Sequence, residues 1–173
     1  MINKKYVILG VAFEWEERKG LDVFIDLAKC LNEEYQIILV GTDDRVDKLL
    51  PENIMSIHRT HNQKELVEIY SVADLFLNPT REENYPTVNI EALACGTPVL
   101  TFNTGGSPEI IDENCGEVIY SGEIMEVASQ IEHICKKEKY KSVDCIRRAS
   151  TLEREMKFLE YINLYQDICG GNG

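Results

Sequence analysis

Positive charge is scarce in this sequence: 18 Lys and Arg residues stand against 30 Asp and Glu, a net charge of −12. That balance excludes a general nucleic-acid binder, which needs a basic face. An anionic ligand would have to find its positive charge locally. Long apolar runs are also missing. None approaches the ~20 residues of a membrane-spanning helix, and Met1-Ile-Asn-Lys-Lys5 leads into a short strand-like run rather than a signal peptide. The six cysteines (Cys30, Cys95, Cys115, Cys135, Cys145 and Cys169) form no CxxC pair and no Cys/His cluster with zinc spacing. Several fall on apolar helix faces, where Cys acts as a small hydrophobe, so a reduced, cytoplasmic protein is expected. There is no internal repeat, low-complexity tract or Pro/Ser linker. The 173 residues therefore read as one domain able to bury its own core. It spans 1–169, followed by a disordered tail, Gly170-Gly-Asn-Gly173.

What is present is an alternation of apolar runs and helical patterns. Strands are expected at Tyr6–Leu9, Gln36–Val40, Ile54–Ile57, Leu75–Leu77, Pro98–Thr101 and, at an edge, Glu117–Tyr120. Between them, Leu21, Phe24, Ile25, Ala28 and Leu31 share a helix face from about Gly20. A short helix is expected over Arg45–Leu50. Asn62-Gln-Lys-Glu65 has capping-box spacing and opens another. Further helices are expected after Pro86 and over about 123–137, 142–149 and 152–168. Strands that are apolar on both faces and alternate with helices imply an α/β fold: a doubly wound parallel sheet of about six strands flanked by helices. Ligands of such sheets bind outside the carboxyl ends of the strands. That singles out the loops 10–19, 41–44, 58–62, 79–87 and 102–109.

Two of those loops carry chemistry. Glu83 and Glu91, separated by seven residues, flank Pro86, a residue favoured at helix starts. Glu83 then lies in the loop before the helix and Glu91 one to two turns inside it. The helix N-terminus offers backbone amides to a phosphate, and the carboxylates can accept hydrogen bonds from sugar hydroxyls. In the loop after the first strand, Arg18 and Lys19 stand together at a helix start, where cations oppose the helix dipole unless an anion shares the place. Arg as a planar fork and Lys as a mobile point charge suit a diphosphate. A solvated pair neutralised by Glu16 and Glu17 fits equally well. Gly10 lacks the other glycines of a dinucleotide fingerprint.

Glu83-x7-Glu91, followed by Ala92-Leu-Ala-Cys-Gly-Thr-Pro-Val99, resembles the signature of family 4 glycosyltransferases of the GT-B fold. The Lys19-Gly20 helix start, the Gly41 turn, Ser71-Val-Ala-Asp-Leu-Phe-Leu-Asn-Pro79 and Gly105-Gly-Ser-Pro-Glu109 follow in the family's order. The likeness runs from about residue 6 to 168 and covers only the C-terminal, donor-binding, Rossmann-like half of such an enzyme. The resemblance implies that the N-terminal acceptor domain is absent. It also implies a retaining, metal-independent transferase needing no cofactor beyond its UDP- or GDP-linked sugar, with a role in surface polysaccharide or glycoconjugate synthesis. By position, it assigns the diphosphate to Lys19 and Arg18 and the ribose hydroxyls to Glu91. Glu83, the catalytic candidate, meets hydroxyls of the transferred sugar. The amides of Thr87 and Val88 meet phosphate oxygens, Asn84 and Tyr85 complete the donor loop, and Thr60, within Arg59-Thr-His61, lies near the base. The chain departs from the family at Ala12, where an Arg is common.

A glycosidase reading of the two acids leaves the cations and the helix N-terminus without a role. A nucleotide-sugar epimerase and a non-catalytic nucleotide-binding module remain as alternatives. Phe13 and Trp15 are expected to shield the phosphates or to pack on the missing domain. The Gly105-Gly106 turn allows close backbone approach, to a sugar or within a plain connection. Of the histidines, none has a ligand partner at useful spacing, His133 reads as a surface residue, and His61 is the one placed to matter. Residues 136–157 hold eight Lys and Arg against four acids, a candidate contact with anionic lipid at the inner face of a membrane or a set of solvated helix faces. Phe158, Tyr161, Leu164 and Tyr165 form a wide apolar arc expected to remain partly exposed.

Overall fold

The computed structural model describes residues 5–153. Six parallel strands form one sheet: β1 (Tyr6–Val11), β2 (Tyr35–Val40), β3 (Ile54–Ile57), β4 (Leu75–Asn78), β5 (Val99–Phe102) and β6 (Gly116–Ile119). Their spatial order is β3-β2-β1-β4-β5-β6. The chain works outward from β1 to β3, then returns to the middle and works outward again from β4 to β6. The order therefore reverses between β1 and β4, where Ile8 lies beside Leu75 and Leu9 beside Phe76. This is the doubly wound α/β arrangement expected from the alternation, and its reversal point is where such sheets open a crevice.

Alternate residues of each strand feed separate cores, as the period of two requires. Ile8, Ile37, Leu39, Leu75, Leu77 and Leu100 face one way, against Phe24 and Leu27 of α1 (Leu21–Cys30) and Val127 and Ile131 of α6 (Ile124–Lys137). Leu9, Val40, Phe76 and Val99 face the other way. There they meet Tyr70 of α3 (Gln63–Val72), Leu93 of α4 (Thr87–Ala94), Ile110 of α5 (Ser107–Ile110) and Cys145 of α7 (Ser142–Ser150). Ile8, Leu9, Leu39, Leu75 and Leu100 have no exposed surface. Each such burial is worth about 1.5–3 kcal/mol. Cys115, Cys135 and Cys145 are buried and free. Burial pushes their thiols up, to about 11 for Cys115 and about 12 for the other two, in keeping with their reading as small hydrophobes.

Three local expectations change. The helix expected over Arg45–Leu50 is α2 (Asp44–Asp47), a single turn started one residue earlier. Asp43 Oδ1 accepts from the amides of Arg45 and Val46 and so fixes that start. The capping box at Asn62 is only half formed. Asn62 Oδ1 accepts from the Glu65 amide at 3.0 Å, while the Glu65 carboxylate takes the amide of His61 at 2.6 Å instead of that of Asn62. Arg18 and Lys19 lie not in the first turn of α1 but in a preceding 3-10 turn, Glu17–Lys19, set off by Gly20 at φ 79°. The tail, the helix expected to 168 and the arc of Phe158, Tyr161, Leu164 and Tyr165 lie outside the described residues.

Candidate functional site

A cleft of about 340 Å³ opens at the carboxyl ends of β1 and β4, the point where the strand order reverses. Two loops supply its polar wall. The 3-10 turn after β1 brings Lys19 to Glu83 from the loop after β4, with Lys19 Nζ 2.8 Å from Glu83 Oε2. Both side chains are largely covered, at 24% and 19% exposure. The other Glu83 oxygen accepts from the Asn84 amide at 3.1 Å. Arg18 lines the same cleft with a looser partner, Glu16 at 3.9 Å, and is 44% exposed. Lys19 thus engages Glu83, 64 residues on, rather than the neighbouring Glu17 of the solvated-pair alternative.

The start of α4 forms another wall. Pro86 is the N-cap and offers no side-chain cap. Its carbonyl accepts from the Asn89 amide at 3.1 Å. Thr87 and Val88, at the first two helical positions, have no intrahelical acceptor for their amides, and both line the cleft. The site therefore joins two cations, a helix N-terminus and a carboxylate around one volume. Such a set can hold a diphosphate and hydrogen-bond a polyol beside it.

A second cavity of about 500 Å³ adjoins it across Val11, Ala12, Phe13 and Val88, reaching the ends of β2 and β3. Thr60 and Arg59 line it with the apolar Val40 and Leu66. Arg18, Lys19, Glu83, Tyr85, Thr87 and Val88 meet at the first cavity, and Thr60 at the second. Asn84 and Glu91 line neither. The Asn84 carbonyl accepts from the Gly106 amide at 2.6 Å. Glu91 is exposed on α4 and accepts from the Tyr70 hydroxyl at 3.2 Å. Burial first, and then Glu91, raises the Tyr70 pKa, so the hydroxyl stays a donor to the carboxylate.

Neighbouring residues take more specific places than the sequence indicates. Trp15 lines the first cavity with a side chain otherwise set in the core. It is 4% exposed, edge-on to Phe24 with centroids 5.3 Å apart, and its Nε1–H donates to the Val40 carbonyl at 3.0 Å. Phe13 is 97% exposed at the junction of the two cavities. The close approach at Gly105-Gly106 serves the protein's own loop. A Cβ on Gly105 would sit 1.8 Å from the Glu83 carbonyl oxygen, and one on Gly106 would sit 2.6 Å from the Tyr85 ring. Two of the histidines do have carboxylate partners. His58 Nε2 lies 2.7 Å from Asp47, with Asp44 close by, and the exposed His61 pairs with Glu65. In the basic stretch, Lys136, Lys139 and Arg147 pair with Glu132, Glu117 and Asp144. Arg148 donates to the carbonyls of Glu109 and Ile110 at the end of α5. These cations are engaged within the fold.

The sequence reading missed the second cavity, and it missed Arg81 with Asp22. That pair joins residues 59 apart and leaves no local spacing to notice. The only available signal was an Arg one residue into an acidic loop.

A doubly wound parallel sheet with a cleft at its switch point is a Rossmann-like α/β domain. The sequence matches the family described as glycosyl transferases group 1 over residues 2–151, and the chain belongs to that family. Among its relatives is the D-inositol 3-phosphate glycosyltransferase of Mycolicibacterium smegmatis, 32% identical over 100 residues, 57% of this chain and 21% of that protein. The fold is shared with sucrose-phosphate synthase from Thermosynechococcus elongatus: TM-score 0.77, 24% identity, covering 97% of this chain and 46% of the other. It is shared too with Anabaena HepE, solved with UDP-glucose: TM-score 0.70, 20% identity, covering 84% and 43%. This chain therefore spans less than half the length of each of these proteins. Among the described residues, no helix is long and apolar enough to cross a membrane.

Proposed function

We propose that this chain is the C-terminal, donor-binding half of a retaining family 4 glycosyltransferase that moves a hexosyl group from a UDP- or GDP-linked sugar. The observation that carries the reading is the convergence of Lys19, Arg18, Glu83 and the α4 N-terminus on one cleft at the switch point. In this reading Lys19, Arg18 and the amides of Thr87 and Val88 hold the diphosphate. They stabilise it as it departs, which is electrostatic catalysis by groups fixed in advance. Glu83 takes hydroxyls of the transferred sugar beside the reacting carbon. The apolar second cavity takes the base near Thr60, and Glu91 reaches the ribose from the exposed face of α4. Asn84 and Tyr85 shape the sugar end of the loop. Charge neutralisation falls to protein groups, so the reading calls for neither metal nor cofactor. The UDP-glucose bound to HepE, which has the same fold, supports a nucleotide-sugar donor.

The acceptor and the means of excluding water belong to an N-terminal domain in this reading. The domain by itself binds nucleotide and transfers sugar poorly. A role in surface polysaccharide or glycoconjugate assembly at the cytoplasmic face follows from the same resemblance. Calorimetric titration with UDP, GDP and ADP, repeated on Glu91→Ala, tests the proposal. Selective binding of one nucleotide, weakened by the substitution, is expected. Wild-type protein that binds none of the three refutes a donor site competent in this half.

A further inference from the structure

Arg81 is a cation within the acidic loop next to the cleft, yet it does not line the cleft that holds Lys19 and Glu83. Its guanidinium forks onto Asp22, with Nη1 2.8 Å from Oδ1 and Nη2 2.7 Å from Oδ2, and Nη1 also donates to the Glu17 carbonyl. Asp22 sits in the first turn of α1, where a carboxylate also suits the helix dipole. Hydrogen bonding to Arg81 holds its carboxyl below the usual range.

The same two segments are joined twice more. The Arg18 carbonyl accepts from the Arg81 amide at 2.9 Å and from the Thr80 hydroxyl at 3.3 Å. Gly20 packs so tightly on Pro79 that a Cβ there would lie 2.6 Å from the Pro79 carbonyl oxygen. One segment ends in Lys19 and the other in Glu83. Two backbone contacts set how closely the segments approach, and the planar, two-pronged Arg81–Asp22 pair sets their mutual orientation.

We infer that Arg81 and Asp22 are positioning residues that hold the Lys19 ammonium against the Glu83 carboxylate, and thereby set the geometry of the donor site. The consequence for donor binding rests on the function proposed above, whereas the positioning itself does not. Lys would not replace Arg81, because a point charge cannot hold the orientation that two parallel bonds impose.

The test reads Lys19 directly and needs no nucleotide. Amine acylation by a small activated ester is followed by mass spectrometry on the whole chain, comparing wild type with Arg81→Gln, Arg81→Lys, Glu83→Gln and the charge exchange Asp22→Arg/Arg81→Asp. Lys139, paired with Glu117 at 2.6 Å on another part of the surface, reports that the fold is intact. Arg81→Gln and Arg81→Lys are expected to raise the Lys19 rate at least threefold, toward that of Glu83→Gln, with Lys139 unchanged. The exchanged pair is expected to return Lys19 toward wild type. A Lys19 rate in Arg81→Gln within 1.5-fold of wild type overturns the inference, as does an equal rise at Lys139, which would mark Arg81 as merely structural. Failure of the donor reading would instead appear as absent nucleotide binding with the acylation pattern intact.

Discussion

The Lys19–Glu83 pair makes a prediction whose sign runs against intuition for a binding-site carboxylate. In the reading proposed above, a diphosphate entering the cleft competes with Glu83 for the Lys19 ammonium. Hydrogen-bonded charged groups contribute about 1.5–3 kcal/mol and freely exposed pairs about 0–1 kcal/mol. At 24% and 19% exposure and 2.8 Å, this pair falls between those ranges, near 1 kcal/mol. The freed carboxylate then faces phosphate charge across the cleft, a repulsion on the order of 1 kcal/mol for charges several ångströms apart at a dielectric between water and protein surface. Glu83→Gln removes both costs. Its affinity for the preferred nucleoside diphosphate should rise by about five- to thirtyfold, the equivalent of 1–2 kcal/mol. The matching sugar nucleotide should gain less, because the amide is a poorer acceptor for the sugar hydroxyls. Calorimetry at one fixed salt concentration measures both ligands. Glu82→Gln, one residue away and outside the cleft lining, serves as the control and should change affinity less than about twofold. Equal or weaker diphosphate binding by Glu83→Gln would refute the competition argument, for Glu83 would then be supporting the phosphate site rather than occupying its cation.

Other perturbations test the frame around the cleft. Gly105→Ala should lower Tm by about 5 °C or more, because the residue has φ 50° and its Cβ would meet the Glu83 carbonyl at 1.8 Å; a change under about 2 °C would mean that the turn is not packed on that loop. Trp15→Phe keeps a ring beside Phe24 but removes one of two donors to the Val40 carbonyl, which retains the Ala12 amide at 3.1 Å. A loss of about 0.5–1.5 kcal/mol in denaturant unfolding is expected, and an unchanged midpoint would show that the indole bond adds nothing to the one from the Ala12 amide. His58 is raised from its ordinary value by Asp47. Its stabilising contribution is therefore complete below the unfolded-state value near 6.5 and is lost as pH rises through the higher folded value. The stability difference between wild type and His58→Gln should accordingly shrink between pH 6 and pH 8, and a difference that grows would reverse the assignment.

The fold was legible because its signal is local. Runs such as Gln36–Val40 and Leu75–Leu77 carry their own strand pattern, and their parallel order follows once helices lie between them. The two-loop origin of the cleft was legible for the same reason: Glu83 and the α4 start are neighbours in sequence, as are Arg18 and Lys19. Pairings across the sheet were not legible. Nothing near Trp15 shows that its indole will find the Val40 carbonyl 25 residues away. Nothing near Gly105 shows that its missing side chain makes room for the Glu83 backbone. Arg81 could not be told from a ligand-binding arginine until Asp22 stood opposite it. The half-formed cap at Asn62 is a subtler case: the spacing is right, but the Glu65 carboxylate finds the His61 amide one residue earlier.

The acidity of the chain, which obliges an anionic ligand to find its positive charge locally, has a fuller meaning once the pairs are located. Four cations around this end of the sheet have acidic partners: Lys19 with Glu83, Arg18 with Glu16, Arg45 with Glu14 and Arg81 with Asp22. At physiological ionic strength the screening length is about 8 Å, so most of the net charge of −12 is not felt inside the cleft. The phosphate would respond to the few groups in direct reach, and those groups are held in place by carboxylates while the site is empty. The pairs differ in how firmly they are made. The Arg81–Asp22 fork is two-pronged and lies outside the cleft, suited to holding position. The Lys19–Glu83 contact lies inside it and depends on a single close approach, which an incoming diphosphate can replace. An acidic domain can therefore bind an anion by exchanging partners at one lysine, with little positive field at long range.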